Sequence, residues 1–528
     1  MLLLAAALSL LAADAASAQA TREAQDAIVP SKTCADLVRL QIPGSGMTIT
    51  KAEIVSLAPP GTVQMRPADA TKNAVPIPAH CKVEGVINPR TGADGKSYGP
   101  RFAIALPEGW NGRFLFQGGG GLNGTLLHPF GSQASGSTPA LARGLAVVST
   151  DGGHTGAVFD ASFRRDQQAA LDFAFNAIPT VTGIAKQVVA DYYGRPIRNS
   201  YFVGCSTGGR EGMQAAQRYP FLFDGVVSGA PAMRTGHSNT ALAWATVVFN
   251  RIAPKDAEGR PIAGAAFSAV DKRLIVDKLL EACDSRDGVK DGLVFDTKGC
   301  RFDPAALQCG GEKVSDCLSA AKVDALKAAF AGPKSPSGRQ IYPPFPYDTG
   351  IAVEGPGIPG FLRPSPPGPP SFAMEIDLEA REAGVQADPS QQLIDTYNWT
   401  NLSVFAGRGG KQIFYHGMSD PWFSAFDTVG YFERLMKDNG GVEQAPDFSR
   451  LFLVPGMGHC SGGPGALDRF DLLGAVVDWV ENGKAPQSVV ATGASSPGMS
   501  RPLCNYPLHA HYTGQGDTND AANFECRP

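Results

Sequence analysis

The chain has 528 residues, 43% hydrophobic and 18% charged, a balance that supports buried cores and argues against intrinsic disorder. Its formal net charge is −4, and the 46 Lys and Arg residues form no run or stripe, which argues against a nucleic-acid partner. Ten cysteines point to either a disulfide framework or metal sites, and the redox compartment decides between them.

Residues 1–20 read MLLLAAALSLLAADAASAQA, an apolar run followed by small residues, with Ala16-Ser17-Ala18 placed as a cleavage site. A secretory signal over residues 1–18 is therefore expected, delivering the chain to a periplasmic or extracellular space where thiols pair. No later run approaches the ~20 apolar residues of a membrane span, so no membrane partner is expected. Short β-rich runs then alternate with helical stretches. Segments 102–106, 113–121, 144–151, 200–206 and 223–231 read as strands, and 184–193 and 210–218 as helices. The rhythm returns with a strand over 411–415, a helix over 425–437, a strand over 451–454 and a helix over 469–481. Such alternation predicts an α/β sheet with crossover helices. Residues 233–407 differ: they are rich in loop-like stretches and include the proline-rich segment 356–370 (PGIPGFLRPSPPGPP). Proline removes ladder donors, so this stretch cannot continue a parallel sheet. The expected organisation is one sheet domain over 19–232 and 408–528, split by a lid domain over 233–407.

Gly204-Cys205-Ser206-Thr207-Gly208 fits G-x-S-x-G between an apolar strand and a helical stretch, the setting of a nucleophile elbow. In that turn Ser206 is the nucleophile and the Thr207 N–H faces a developing oxyanion. A hydroxyl at its free pKa is a poor nucleophile, so a base and an orienting acid must follow. In α/β-hydrolases the chain order is Ser, Asp, His. Of the eight histidines, His459 in LFLVPGMGHC lies just past a strand, and Asp420 in HGMSDPWFS lies just past another. Both therefore reach strand C-terminal ends, where Ser206 also sits. His80, His509 and His511 lie near the chain ends, His128 and His237 have no acid arranged around them, and His154 precedes Ser206. Cys205 precedes the nucleophile directly and Cys460 follows the base directly. A bond between them would hold the two loops at a Cα separation of ~4.4–6.8 Å. Asp284, Asp287 and Asp291 recur around Gly288 and Gly292, a spacing that fits both a Ca²⁺ loop and a solvated acidic turn.

Together these motifs resemble the tannase and feruloyl esterase family of α/β-hydrolases. The likeness runs through WNGR at 110–113, GGGGLNG at 118–124, DGGH at 151–154, GCSTGGREGM at 204–213, HGMSD at 416–420, LFLVPGMGHCSGGPG at 451–465 and RPLC at 501–504. The resemblance implies an α/β-hydrolase fold with a large inserted lid, and a serine esterase acting on small esters of phenolic or aromatic acids. It implies Ser206, Asp420 and His459 as the triad, and Gly121 beside Thr207 as oxyanion donors. Cysteine pairs Cys34–Cys81, Cys283–Cys300, Cys309–Cys317 and Cys504–Cys526 are implied in the same way. So is a structural calcium ion in the lid, held by the three aspartates and the carbonyls of Val289 and Leu293.

Trp422 and Phe423 are expected at the pocket rim, where they can stack on a ring, and family likeness adds His416 and Phe423 to the acyl site. Family members that hydrolyse terephthalate monoesters carry a Glu directly after the nucleophile and an Arg in the lid. Thr207 occupies the first position here, and no motif matches Arg363 or Arg381 to the second, so a feruloyl-esterase-like preference is expected over terephthalate monoesters, with galloyl or terephthalate esters as the alternative substrates. A phenolic-binding protein on a hydrolase fold and a serine peptidase are the competing readings. A binding protein has no need of all three triad groups, and a peptide substrate screen separates the peptidase.

Overall fold

Nine strands form one sheet: β1 (Met47–Val55), β2 (His80–Ile87), β3 (Arg101–Pro107), β4 (Arg113–Gln117), β5 (Ala146–Thr150), β6 (Asn199–Cys205), β7 (Gly225–Gly229), β8 (Lys411–Gly417) and β9 (Ser449–Val454). Their spatial order is β1-β2-β3-β5-β4-β6-β7-β8-β9. β1, β2, β3 and β5 pair antiparallel, and every later pairing is parallel. The computed structural model describes residues 27–65, 71–311, 316–352, 371–440 and 447–528. The expected signal over 1–18 and the proline-rich segment 356–370, with Arg363, lie outside the described residues.

The longer helices are α1 (Ala177–Tyr193), α2 (Thr207–Arg218), α3 (Thr235–Asn250), α4 (Ala269–Cys283), α5 (Ala320–Phe330), α6 (Leu378–Ala387), α7 (Ala425–Asp438) and α8 (Leu472–Asn482). Residues alternate across the sheet, so one face packs Phe114, Phe202, Val226 and Phe414 against α1, α2 and α7. The opposite face packs Leu115, Val203, Val227 and Ile413 against Leu473, Val476 and Trp479 of α8. With both faces covered, β5 and β7 are buried at every residue, which is why they read as continuous apolar runs. The registers place Cys205 beside Gly229 and Gly229 beside Tyr415. The parallel strands therefore end along one line, and the loops after them share one edge.

The expected strands from 102 onward are present, but β1 and β2 extend the sheet beyond them. Both have partly exposed faces carrying Lys51, Glu53, Lys82 and Glu84, which blurs the apolar signal. The helical run begins well before the expected 184: a short α-helical turn (Gln167–Leu171) and a π-helical turn (Asp172–Asn176) lead directly into α1, and the π geometry lies just ahead of Pro179, whose missing N–H interrupts the α-helical ladder. Helix α8 begins at Leu472 rather than 469, since Asp471 caps the Gly474 N–H, and Gly483 closes it in a left-handed conformation.

Between β7 and β8 the chain leaves the sheet and returns. Among its described residues this insertion joins helices α3 to α6 through long irregular stretches, as its loop-rich composition led one to expect. Helix α4 starts from a capping box of Ser268 and Asp271, α5 from Ser319 and α6 from Asp377. Leu242, Phe249, Phe267, Ile275, Leu326, Phe330 and Tyr342 form a separate core. Five disulfides join Cys34–Cys81, Cys205–Cys460, Cys283–Cys300, Cys309–Cys317 and Cys504–Cys526. No described helix is long and apolar enough to cross a membrane.

Candidate active site

Ser206 stands between β6 and α2 with φ 65° and ψ −122°, a backbone conformation that a residue with a Cβ adopts only under constraint. Its N–H donates to Gly229 O at 3.0 Å, and its carbonyl accepts from the Ala232 and Arg210 N–H groups at 3.0 Å. The bend brings the start of α2 against the glycine loop at 118–124. That approach needs a bare backbone, because a Cβ on Gly208 would lie 2.7 Å from Gly119 O.

Glu211 of α2 braces the glycine loop from inside. Its buried carboxylate accepts from the Gly119 N–H at 2.9 Å and from Asn123 Nδ2 at 3.0 Å, while Asn123 Oδ1 accepts from the Gly120 N–H at 2.9 Å. Burial pushes the Glu211 carboxyl up, and the neighbouring Arg210 guanidinium and these hydrogen bonds pull it back. The Thr207 hydroxyl donates to Gly121 O, which pins the loop to α2. Among the described residues, the N–H groups of Gly121, at φ +56°, and Thr207 have no acceptor. Two free N–H donors beside a nucleophile are what a developing oxyanion needs.

Across the site, the loops after β8 and β9 bring Asp420 and His459 together. His459 Nδ1 donates to Asp420 Oδ2 at 2.6 Å. Asp420 Oδ1 accepts from the Trp422 and Phe423 N–H groups at 2.8 and 3.1 Å. Burial works to raise the Asp420 pKa, but the charge of His459 and the hydrogen bonds from His416 and His459 outweigh it and hold the carboxyl well below the usual range. An ionised Asp420 fixes the His459 tautomer, leaving the Nε2 lone pair free. That atom is buried with no hydrogen-bond partner. The Cys205–Cys460 disulfide, with Cα atoms 6.0 Å apart, ties the residue before Ser206 to the residue after His459.

The expectation that His416 lines the pocket is corrected. Its side chain is fully buried, Nδ1 meets Thr428 Oγ1 at 2.7 Å, and Nε2 faces Phe423 O at 3.1 Å and Asp420 Oδ2 at 3.3 Å. Neither nitrogen is left for a substrate. His416 instead supports the acid from the side opposite His459, a role that the four-residue spacing to Asp420 hinted at without the fold to interpret it. The Trp422 and Phe423 rings flank the His459 ring with centroids at 4.7 and 5.3 Å. Phe159, which sequence reasoning missed, is exposed and meets Trp422 edge-to-face at 6.3 Å. Val158 beside it covers Gly121. Glu211 and Asn123 were also missed, although both lie within the motifs quoted above.

The acidic loop lies in the insertion, and its Leu293 packs beside Gly456 and Gly465 of the loop that carries His459. Asp284 accepts from the Asp291 and Gly292 N–H groups at 3.1 Å, Asp287 from Val289 at 3.2 Å, and Asp291 from Leu293 at 3.1 Å. Arg501 donates to Asp291 Oδ2 through Nε and Nη2 at 3.0 and 2.5 Å. Among the described residues, no three His, Cys, Asp or Glu side chains converge as a ready-made metal cage. Even so, Asp287 Oδ2 is buried without a partner, and burial together with the charge of Asp291 pushes the Asp287 carboxyl up to about 7. A buried carboxylate oxygen without a hydrogen-bond donor, beside two further carboxylates, fits a cation, although the Arg501 guanidinium already offsets part of the charge.

Residues 81–358 and 372–527 match the family described as tannase and feruloyl esterase. The chain is 40% identical over 529 residues to mono(2-hydroxyethyl) terephthalate hydrolase of Piscinibacter sakaiensis, covering 87% of this chain and 86% of that protein. It is 32% identical to a probable feruloyl esterase B-2 of Aspergillus flavus, over 74% of this chain and 76% of that one. The crystal structure of feruloyl esterase B from Aspergillus oryzae superposes with a TM-score of 0.74 at 25% identity, covering 93% of this chain and 98% of that one. The fold of the tannin acyl hydrolase from Aspergillus niger matches with a TM-score of 0.69 at 23% identity, over 94% and 95% of the two chains. On this evidence the chain belongs to the tannase and feruloyl esterase family and is a carboxylic ester hydrolase with an α/β fold.

Proposed function

We propose that the protein is an exported serine esterase that hydrolyses esters of aromatic carboxylic acids, with feruloyl-type esters as its preferred class. The observation that carries the proposal is the Asp420–His459 hydrogen bond of 2.6 Å, with His459 Nε2 left free on a loop clipped to Ser206. His459 Nε2 takes the Ser206 proton as Oγ attacks the ester carbonyl. The Gly121 and Thr207 N–H groups hold the oxyanion, and the imidazolium, stabilised by Asp420, returns the proton to the departing alcohol. Water, activated by the same imidazole, then releases the acid from the acyl-enzyme. Phe159, Trp422 and Phe423 supply ring faces and edges at the mouth, which suits an aromatic acid. The insertion over 233–407 acts as the lid.

Hydrolysis of terephthalate monoesters is the second reading, favoured by the 40% identity to the Piscinibacter enzyme. Ser206→Ala should lower turnover of methyl ferulate by ~10⁴-fold or more, and near-native turnover in that variant rejects the assignment. A panel of ferulate, gallate and terephthalate esters with wild-type protein then ranks the substrate classes.

Export is supported by the five disulfides, which persist in oxidising compartments, and by the apolar N-terminal run. The acidic loop is proposed to hold a structural Ca²⁺ through Asp284, Asp287 and Asp291 with the Val289 and Leu293 carbonyls, supported by the partnerless Asp287 Oδ2. Chelation should lower the melting temperature and added Ca²⁺ should restore it. A melting curve indifferent to both removes the ion from the account.

A further inference from the structure

We infer that Asp348, carried by the insertion, is a positioning residue for the Asp420–His459 pair. It lies in the stretch YPPFPYDTG at 342–350, which carries none of the motifs quoted above. Its side chain is buried, at 2% exposure. One oxygen, Oδ2, accepts from Ser419 Oγ at 2.7 Å and from the Gly456 N–H at 2.7 Å. Ser419 adjoins Asp420, and Gly456 lies on the loop that carries His459. A single carboxylate oxygen from the insertion thus joins the acid loop to the base loop. The Gly350 N–H closes the arrangement by donating to Ser419 Oγ at 2.9 Å, and the Ser419 N–H donates to Met457 O at 2.9 Å.

The chemistry of the group marks it as more than packing. Burial pushes the Asp348 carboxyl up, while the Ser419 hydroxyl and the Gly456 N–H pull it down. Its other oxygen, Oδ1, is buried with no hydrogen-bond partner. A carboxylate buried without a cation is costly to keep, and a neutral or apolar residue would fasten the insertion to the sheet domain at lower cost. What the carboxylate adds is one acceptor shared by donors on two loops, which sets the distance between them. Proton transfer is sensitive to that distance: a misplacement of ~1 Å costs about 100-fold in rate.

This inference rests on Ser206, His459 and Asp420 being the catalytic groups. The titratable groups around the pair are His416, on the far side of Asp420, Asp348 itself, and the buried phenol of Tyr342, which burial and the charges of Asp427 and Asp420 push up and which stays neutral through the range tested. The test is steady-state kinetics of the full chain on methyl ferulate across pH, with thermal melts showing that each variant is folded at the assay temperature. Asp348→Ala should lower kcat by ~10–100-fold with KM changed less than about threefold. It should also move the acid limb of kcat/KM to lower pH, because a His459 imidazolium held less well by Asp420 deprotonates more easily. Asp348→Asn keeps an oxygen that can accept both bonds, and should recover most of kcat. Ser419→Ala removes one donor and should move the same limb in the same direction by a smaller amount, which keeps the test decisive if Asp348→Ala does not fold. Two results overturn the inference: a folded Asp348→Ala with kcat within twofold of wild type, or a loss of kcat with an unmoved acid limb in both Asp348→Ala and Ser419→Ala. An active Ser206→Ala, by contrast, overturns the triad on which the inference rests. An inactive Ser206→Ala beside a wild-type-like Asp348→Ala rejects this inference alone.

Discussion

The two sides of the candidate active site are held by different physics. On the nucleophile side, geometry is imposed by close backbone packing: a non-glycine residue at φ 65°, and glycines that let α2 touch the loop at 118–124. On the acid–base side it is imposed by directional bonds, with Asp420 accepting from His459, His416 and two backbone N–H groups. In the proposed mechanism steric constraint suits Ser206, whose position must not vary during the reaction, and a hydrogen-bonded network suits His459, whose proton must move while its ring stays in place.

Substituting the acid tests that division most severely. Asp420→Asn should leave the fold intact yet reduce kcat by ~10⁴-fold, since the amide cannot hold the required imidazole tautomer or stabilise the imidazolium. A loss below about tenfold, with native circular dichroism, would mean that the bonded side orients without taking part in the chemistry.

The disulfide between the two sides comes next. Replacing Cys205 and Cys460 together by Ala should remove ~2–4 kcal/mol of stability and reduce kcat about tenfold, as the loops gain freedom to part. Ser206 should still be labelled by a fluorophosphonate, because the bend that presents it does not depend on the bridge. Unchanged kcat and unchanged unfolding in denaturant together would show that packing and hydrogen bonds suffice.

The smallest effect probes the packing behind the nucleophile side. His154 is buried, lies flat on Phe163 with ring centroids 3.7 Å apart, and has no partner for either nitrogen. Burial pushes its pKa down to about 4, so between pH 4 and 6.5 the unfolded chain takes up a proton that the folded protein refuses. Its stabilising contribution is therefore fully present above ~6.5 and is lost as pH falls toward ~4, about 2 kcal/mol by pH 4.5. His154→Phe keeps the stacking and removes the titration, so urea melts at pH 7 and pH 4.5 should differ less in the variant than in wild type. Equal acid sensitivity in both would place the loss at other groups.

The placing of Ser206, Asp420 and His459 at strand C-terminal ends was legible in the sequence because each sits in a short glycine-containing motif directly after an apolar strand, where local pattern and topology coincide. The central strands were legible for a related reason: burial on both faces leaves them uniformly apolar. The insertion was harder to read. Prolines and acidic turns dominate its composition, and the caps that start α4, α5 and α6 are single residues. His416 was misassigned because its surroundings come from Thr428 and the Phe423 carbonyl, which only the fold brings near. Phe159 and Asp348 carry no motif at all, and their relevance comes entirely from the residues they meet in space.

The bridge between Cys205 and Cys460 also constrains the order of assembly. Its half-cystines are 255 residues apart, with α2, β7, the whole insertion and β8 between them. No shorter stretch of the chain can make this link. The site therefore cannot be locked until synthesis has passed Cys460 and the intervening helices have found their places. A truncated or partly folded chain is left with the two sides unjoined, and the covalent lock reports that the intervening chain is complete.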